Sequence, residues 1–244
     1  MKKITTDKVF SITLCQSESS LKLGTDALLL SSYIRRQGKD TALEIGAGSG
    51  VISLLAAKRG CFKKIYSVEV QSELYEIMKD NITANSLDDT VFPVNADIRN
   101  VNPEDFKGTS VVFCNPPYMK TDSGRASLSS SRQISRHEVF GGVTDFVSAS
   151  AKILKTGGKI YIVYRPDRLP TLMKALSENG FSPKRMTFVH ASADHSPSSV
   201  ICEAMLGGGE QLKITRPLFL NENGSESLDC RFIYQNGVFP EDFF

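Results

Sequence analysis

The stretch from Thr41 to Lys58 constrains this chain more than any other. A short apolar run, TALEI, passes into the glycine loop GAGSG, which opens directly onto the helical pattern VISLLAAK. Strand, glycine turn and helix in that order leave the first helical N–H groups pointing at the mouth of the turn, where glycines allow positive φ and close backbone approach to a ligand. The unit then recurs. KIYSVEV, the helical SELYEIMKDNITANS, TVFPVNAD and SVVFCNPPY follow in order, and a helix over 143–155 leads through Thr156-Gly157-Gly158 into KIYIVYR. Such alternation implies right-handed crossovers and a parallel sheet. A helix over 168–179 and strands RMTFVHA, SVICEAML and QLKITRP complete the pattern. The last three have no helical text between them, which predicts at least one antiparallel hairpin strand at the sheet edge.

Before Thr41, residues 8–23 read as two short strands around a polar turn, and Thr25-Asp26 offer caps to the apolar ALLLSSYI. The expected organisation is an N-terminal hairpin and helix over 1–38, a main α/β domain over 39–220, and a tail over 221–244 with no assigned role. No internal repeat is present. The segment SGRASLSSSRQISR (123–136) is rich in serine and arginine and is expected to be a loop.

The 244 residues carry 29 basic and 27 acidic side chains, a net charge of +2. So even a balance excludes an argument for nucleic acid from bulk charge, and any basic surface must be local. Five cysteines, at 15, 61, 114, 202 and 230, are scattered without a Cys-x-x-Cys pair, as expected of reduced thiols in a cytosolic protein with no metal site. His190 and His195 give no metal spacing either. The N-terminus lacks the apolar stretch of a signal peptide, and no apolar run approaches the roughly 18 residues that span a bilayer. A cytoplasmic location without a membrane partner is expected.

The loop Glu44-Ile45-Gly46-Ala47-Gly48-Ser49-Gly50 has the spacing G-x-G-x-G, one residue shorter than the dinucleotide fingerprint, which argues against a pyrophosphate. Glu69 ends the next strand at the offset where a carboxylate can accept both hydroxyls of a ribose. Asp97 follows the third strand, where it can accept from an adenine amino group or simply cap a turn. Asn115-Pro116-Pro117-Tyr118 directly follows SVVFC. Two prolines cannot continue a central strand, and they hold the asparagine outside the carboxyl edge of the sheet, where open α/β sheets bind ligands. A planar exocyclic amine is a poor nucleophile because its lone pair is delocalised. Two acceptors, Asn115 Oδ1 and the Pro116 carbonyl, can take its two hydrogens and favour a pyramidal nitrogen aimed at an electrophile, while Tyr118 offers a stacking face.

EIGAGSG, Glu69, Asp97 and NPPY, in this order and spacing, resemble the class I S-adenosylmethionine-dependent methyltransferases that modify amino nitrogens. LKLGTDALLLSSY, the SRHE after NPPY, and SPSSVICEAMLGGGEQLKITRPLFL are similar to the bacterial methyltransferases that convert adenine 37 of valine tRNA to N6-methyladenine. That resemblance covers most of residues 8–220. It implies a Rossmann-like α/β fold with a mostly parallel sheet flanked by helices, S-adenosyl-L-methionine as cofactor, and the tRNA anticodon loop as substrate. Residue by residue it places Glu44, Gly46, Gly48 and Gly50 around the methionine part of the cofactor, Glu69 on its ribose, Asp97 near its adenine, and Asn115 to Tyr118 at the target amine. Lys22, Gly24, Thr25 and Asp26 match an N-terminal motif that closes over the cofactor, although helix capping explains Thr25 and Asp26 equally well. Lys120, Arg125, Arg132 and Arg136 face a single nearby acid, Asp122, in a segment emerging beside the amine site, and can grip RNA phosphates or be merely solvated.

Three other functions share parts of this pattern. A protein glutamine-N5 methyltransferase or an rRNA amino-methyltransferase would also use NPPY, but the glutamine enzymes carry a helical substrate domain before the glycine loop, for which about 40 residues leave little room. A non-catalytic RNA-binding protein would not need an intact NPPY.

Overall fold

The computed structural model describes residues 4–9, 12–17, 24–116 and 141–244. Its centre is a nine-stranded sheet built from β3 (Thr41–Ile45), β4 (Lys64–Glu69), β5 (Val91–Asn95), β6 (Thr109–Cys114), β7 (Lys159–Tyr164), β8 (Phe181–His190), β9 (Pro197–Leu206), β10 (Lys213–Ile214) and β11 (Leu218–Phe219). Strand order is β10-β8-β9-β7-β6-β3-β4-β5, with β11 also on β8. β3, β4, β5, β6 and β7 pair in parallel, as expected. The chain winds from β3 outward to β5, then returns to place β6 on the other side of β3. The switch point between β3 and β6 is where an open sheet forms its ligand crevice.

The strands read as continuous apolar text because both faces are covered. Along β6, Val111 and Phe113 enter one core while Val112 and Cys114 enter the other. The first core includes residues of α1 (Thr25–Tyr33), α2 (Val51–Lys58) and α3 (Ser72–Ala84); the second includes residues of α4 (Val143–Ile153) and α5 (Leu169–Glu178). The predicted antiparallel hairpin is β8–β9, although β9 lies between β7 and β8 rather than at the rim. QLKITRP departs from expectation: only Lys213–Ile214 joins the sheet, in parallel with β8.

The N-terminal strands are β1 (Ile4–Val9) and β2 (Ile12–Ser17), antiparallel with Val9 opposite Ile12. Their connection therefore precedes the polar text CQSESS, which was expected to hold the turn. The alternation of buried Ile12 and Leu14 sets this register, because a slip by one residue would expose both. Thr25 and Asp26 are likewise not caps: Gly24 is the N-cap of α1, and they are its first helical residues.

Residues 221–244 are not a loose tail. A small hairpin of β12 (Asn221–Glu222) and β13 (Ser225–Glu226) leads to α6 (Leu228–Asn236), and Ile233, Phe239 and Phe243 join the same core as Leu29 and Tyr33. The anchor is Arg185, which is 3% exposed. It pairs with Glu203 at 3.0 Å, donates to the carbonyls of Tyr33 at 2.9 Å and Phe243 at 3.4 Å, and lies over the rings of Tyr33 and Phe244. Lys159 meets the same Glu203 at 3.1 Å.

Candidate functional site

Register brings the predicted residues together. Ile45 is paired with Cys114 on one side and Val68 on the other. Gly46 and Asn115 directly follow the last residues of β3 and β6, and Glu69, which follows Val68, is the last residue of β4, so the three stand in one row at the carboxyl edge. Glu69 is in turn paired with Asn95, two residues before Asp97. Residues spread over about 70 positions of the chain thus meet at one edge of the sheet, at the switch point where open α/β sheets bind ligands.

The glycine loop is held from below and from the side. Gly46 and Ala47 both donate to the Val68 carbonyl, at 2.9 and 3.0 Å. Glu69, only 4% exposed, accepts from Gly48 N–H through Oε2 at 2.8 Å and from Gln71 N–H through Oε1 at 2.8 Å. Oε1 also accepts from Gln71 Nε2 at 3.4 Å, and Oε2 keeps a second lone-pair direction for another donor. Gly48 has φ +57, and a Cβ built there would meet no atom within 4 Å, so the backbone is bare toward the crevice. At Gly50 the reason for glycine is different: φ is +85 and a Cβ would lie 2.9 Å from Met78 Cγ. These features fit a cofactor with a ribose and a close-lying amino-acid moiety: acceptors at Glu69 and an unobstructed loop at Gly48.

Glu44 takes a structural role that the sequence did not announce. It is 1% exposed, and Oε2 accepts from the Ser53 N–H at 3.0 Å and from the Ser53 hydroxyl. Ser53 is the third residue of α2, whose N-cap Gly50 has no side chain to accept that N–H. Glu44 therefore caps the helix from the strand before it. Burial pushes its carboxyl up to about 8, against the opposing hydrogen bonds from Ser53. Burial, aided by Glu44, also raises the thiol of Cys114, which rules it out as a ready nucleophile.

Asp97 is half-buried and held by Arg99: its Oδ1 accepts from Arg99 N–H at 2.9 Å, and the guanidinium lies 2.5 Å from Oδ2. The guanidinium bond holds its carboxyl below the usual range. The capping alternative raised by the sequence is thus realised. A cavity of about 300 Å³ opens between residues 98–103 and α4, lined by Arg99, Asp145, Ser148 and Lys152 among others.

Asn115 is half-buried and Pro116 buried at the end of β6. Pro117, Tyr118, Lys120, Arg125, Arg132 and Arg136 lie outside the described residues, as does Lys22. Thr25 is exposed at the start of α1, and its side chain hydrogen-bonds the Tyr234 hydroxyl of α6. His190 and His195 are occupied in a local turn, the first through Nδ1 to the His195 carbonyl at 2.8 Å and the second to Ser192 at 2.7 Å. Among the described residues no cluster could hold a metal, and no helix is long and apolar enough to cross a membrane.

Sequence reasoning missed three contributors. Asn95 donates to the Glu69 carbonyl at 2.8 Å, Phe146 of α4 lies against Gly46, and Asn81 reaches the loop from α3. None carries a local signal, because each partner is distant in the chain.

Similar sequences and folds cover most of the chain. Residues 33–121 match the model of the TRM5/TYW2 methyltransferase domain. The chain is 27% identical over 189 residues to the tRNA1(Val) (adenine(37)-N6)-methyltransferase of Phocaeicola vulgatus, covering 78% of this chain and 79% of that protein. A protein of the same name from a Flavobacteriaceae bacterium is 22% identical over 229 residues, 94% of this chain and 95% of the other. Among solved structures, an Agrobacterium tumefaciens protein described as an O-methyltransferase superposes with a TM-score of 0.66 at 19% identity, covering 87% of this chain and 96% of that one. The M. jannaschii TYW2 structure in complex with AdoMet gives 0.57 at 16% identity, over 84% and 88%. The fold is that of the class I methyltransferases.

Proposed function

We propose that this chain is an S-adenosylmethionine-dependent methyltransferase acting on tRNA, with N6 of adenine 37 in the anticodon loop of valine tRNA as its target. The observation that carries the reading is the row formed by Glu69, Gly46 and Asn115 at the ends of three adjacent strands. In this reading Glu69 is the ribose acceptor, Gly46 belongs to the cofactor loop and Asn115 is the amine acceptor. The named relatives support tRNA as the substrate class and adenine 37 as the nucleotide.

Bound S-adenosylmethionine supplies an electrophilic methyl group. Glu69 orients the ribose while keeping the loop in shape, and the Gly48 region leaves room for the amino-acid part. Asn115 Oδ1 and the Pro116 carbonyl accept the two amine hydrogens, which turns the nitrogen lone pair toward the methyl carbon. A nitrogen held by Asn115 and Pro116 would be oriented to receive the methyl group that the bound cofactor would supply, and its surplus proton would pass to water. No strong base is needed, since the methylated amine is acidic until that proton leaves. Lys22 is assigned to the cofactor, Tyr118 to stacking on the base, and Lys120, Arg125, Arg132 and Arg136 to phosphates; these assignments rest on the sequence.

An anticodon-loop adenine suits such a site because it can be splayed out at lower unstacking cost than a base inside a duplex. The test is incubation with labelled S-adenosylmethionine and, in parallel, unmodified tRNA, rRNA and protein release factors, followed by digestion. N6-methyladenosine in valine tRNA is the expected product. Methylglutamine, or label in rRNA alone, would overturn the substrate assignment.

A further inference from the structure

Asn81 lies on α3, fully buried, and its amide reaches two separate parts of the chain. Oδ1 accepts from the Cys15 N–H at 2.6 Å, while Nδ2 donates to the Cys15 carbonyl at 3.1 Å and to the Ser49 carbonyl at 3.0 Å. Both amide hydrogens are used, one on β2 and one on the glycine loop. One turn farther along, Asn85 treats Thr13 in the same way: Oδ1 accepts from its N–H at 2.9 Å and Nδ2 donates to its carbonyl at 2.7 Å.

The repeat has a geometric cause. Four residues of helix advance about 6.0 Å and two residues of strand about 6.6 Å, so successive turns of α3 fall opposite alternate residues of β2. The helix thereby serves β2 as a second partner strand, its two asparagines satisfying backbone groups that a ladder would otherwise take. Ile12 and Leu14 are buried in the first core at the same time. The two asparagines differ in one respect. Asn85 spends its remaining hydrogen on the Asn81 carbonyl, whereas Asn81 continues to Ser49, next to the Gly48 N–H that Glu69 holds.

We infer that Asn81 is a positioning residue that couples docking of the N-terminal hairpin to the shape of the glycine loop, so that hairpin and cofactor strengthen one another's binding. The inference rests on the reading of that loop as the cofactor site. A ligand seated on the loop holds Ser49 in place, which holds the Asn81 amide in the orientation that Cys15 requires. By thermodynamic reciprocity the docked hairpin raises ligand affinity by the same factor.

The experiment measures backbone hydrogen exchange of the full chain with and without S-adenosylhomocysteine, together with calorimetric affinities for wild type, Asn81→Ala and Asn85→Ala. Added ligand is expected to slow exchange at the Thr13 and Cys15 amides of the wild type. Asn81→Ala should lose that slowing and bind about 10-fold more weakly, within the usual range of coupling between sites. Asn85→Ala, which loses hairpin contacts but none to the loop, should stay within about threefold of wild type. Equal affinities in all three proteins, an equal loss in both variants, or unchanged exchange at Cys15 in the wild type would each overturn the coupling. Failure of the wild type to bind the ligand at all would instead overturn the cofactor reading. Should Asn81→Ala not fold, the wild-type exchange result decides alone.

Discussion

The Glu69 carboxylate and the Gly48 N–H, 21 residues apart, are joined by a 2.8 Å hydrogen bond across the mouth of the crevice. One side chain thus shapes the glycine loop and presents acceptors to whatever the loop binds. Losing it removes both contributions, and a hydrogen bond to a charged group is worth about 1.5–3 kcal/mol. Glu69→Ala should therefore weaken S-adenosylhomocysteine binding by roughly 10- to 100-fold, and calorimetry reads this directly. Affinity equal to wild type would remove Glu69 from the cofactor site.

Asn115 acts on the other half. If Asn115 orients the amine as proposed, Asn115→Ala should bind S-adenosylhomocysteine within about threefold of wild type and lose roughly 100-fold or more in kcat, the scale of a misplaced reactant. Single-turnover methylation of tRNA separates this from a binding defect. Transfer at the wild-type rate would exclude the proposed role.

Glu44 should make the stability of the protein pH-dependent. Its carboxyl is raised from 4.5 to about 8 in the folded state, so the folded protein binds the proton more tightly than the unfolded chain. The associated stability is complete below pH 4.5 and is lost as pH rises through 8. Glu44→Gln keeps an oxygen for the Ser53 N–H and cannot ionise. Its melting temperature should fall less than that of wild type between pH 6 and 9, each kcal/mol appearing as roughly 2–4 °C. Parallel curves for the two proteins would show that Glu44 does not titrate in this range.

Arg185 should matter to stability more than any surface charge. Removing it leaves Glu203 buried with only Lys159 beside it and frees the Tyr33 and Phe243 carbonyls. Breaking a buried pair on one side costs about 3–5 kcal/mol. Urea unfolding of Arg185→Met should show a loss of that order, and adding Glu203→Gln should recover part of it. A surface-like change below about 1 kcal/mol would contradict the anchoring role.

The central sheet was legible because β3, β4, β6 and β7 are short apolar runs bounded by glycines and prolines, and text of that kind has few other ways to bury itself. The row at the carboxyl edge was legible because GAGSG and Asn115 follow strand ends, and β3 and β6 are neighbours in the sheet. What escaped was set by partners far away in the chain. Glu44 reads as a loop residue until α2 places Ser53 above it, and Asn81 reads as a polar residue on an amphipathic helix until β2 lies alongside. The N-terminal hairpin was displaced in the reading because polar text after Leu14 gives a stronger turn signal than Val9 to Ile12 does. The last 24 residues carry no local motif, and their attachment depends on Arg185 and on Arg216, which meets both Asp229 and Asp242.

The order of pairing around β3 also separates the crevice in time. Val68 lies 23 residues from Ile45 along the chain, and Cys114 three times as far, yet both flank it in the sheet. Closing the longer loop costs about 1 kcal/mol more in chain entropy, so β3, β4 and β5 can associate through local crossovers before β6 arrives. The glycine loop and Glu69 are then assembled while Asn115 is still elsewhere. A refolding chain is thus expected to set the glycine loop beside Glu69 first and to bring in Asn115 last, with β6, so that the row at the carboxyl edge is complete only when the latecomer strand slots in beside β3.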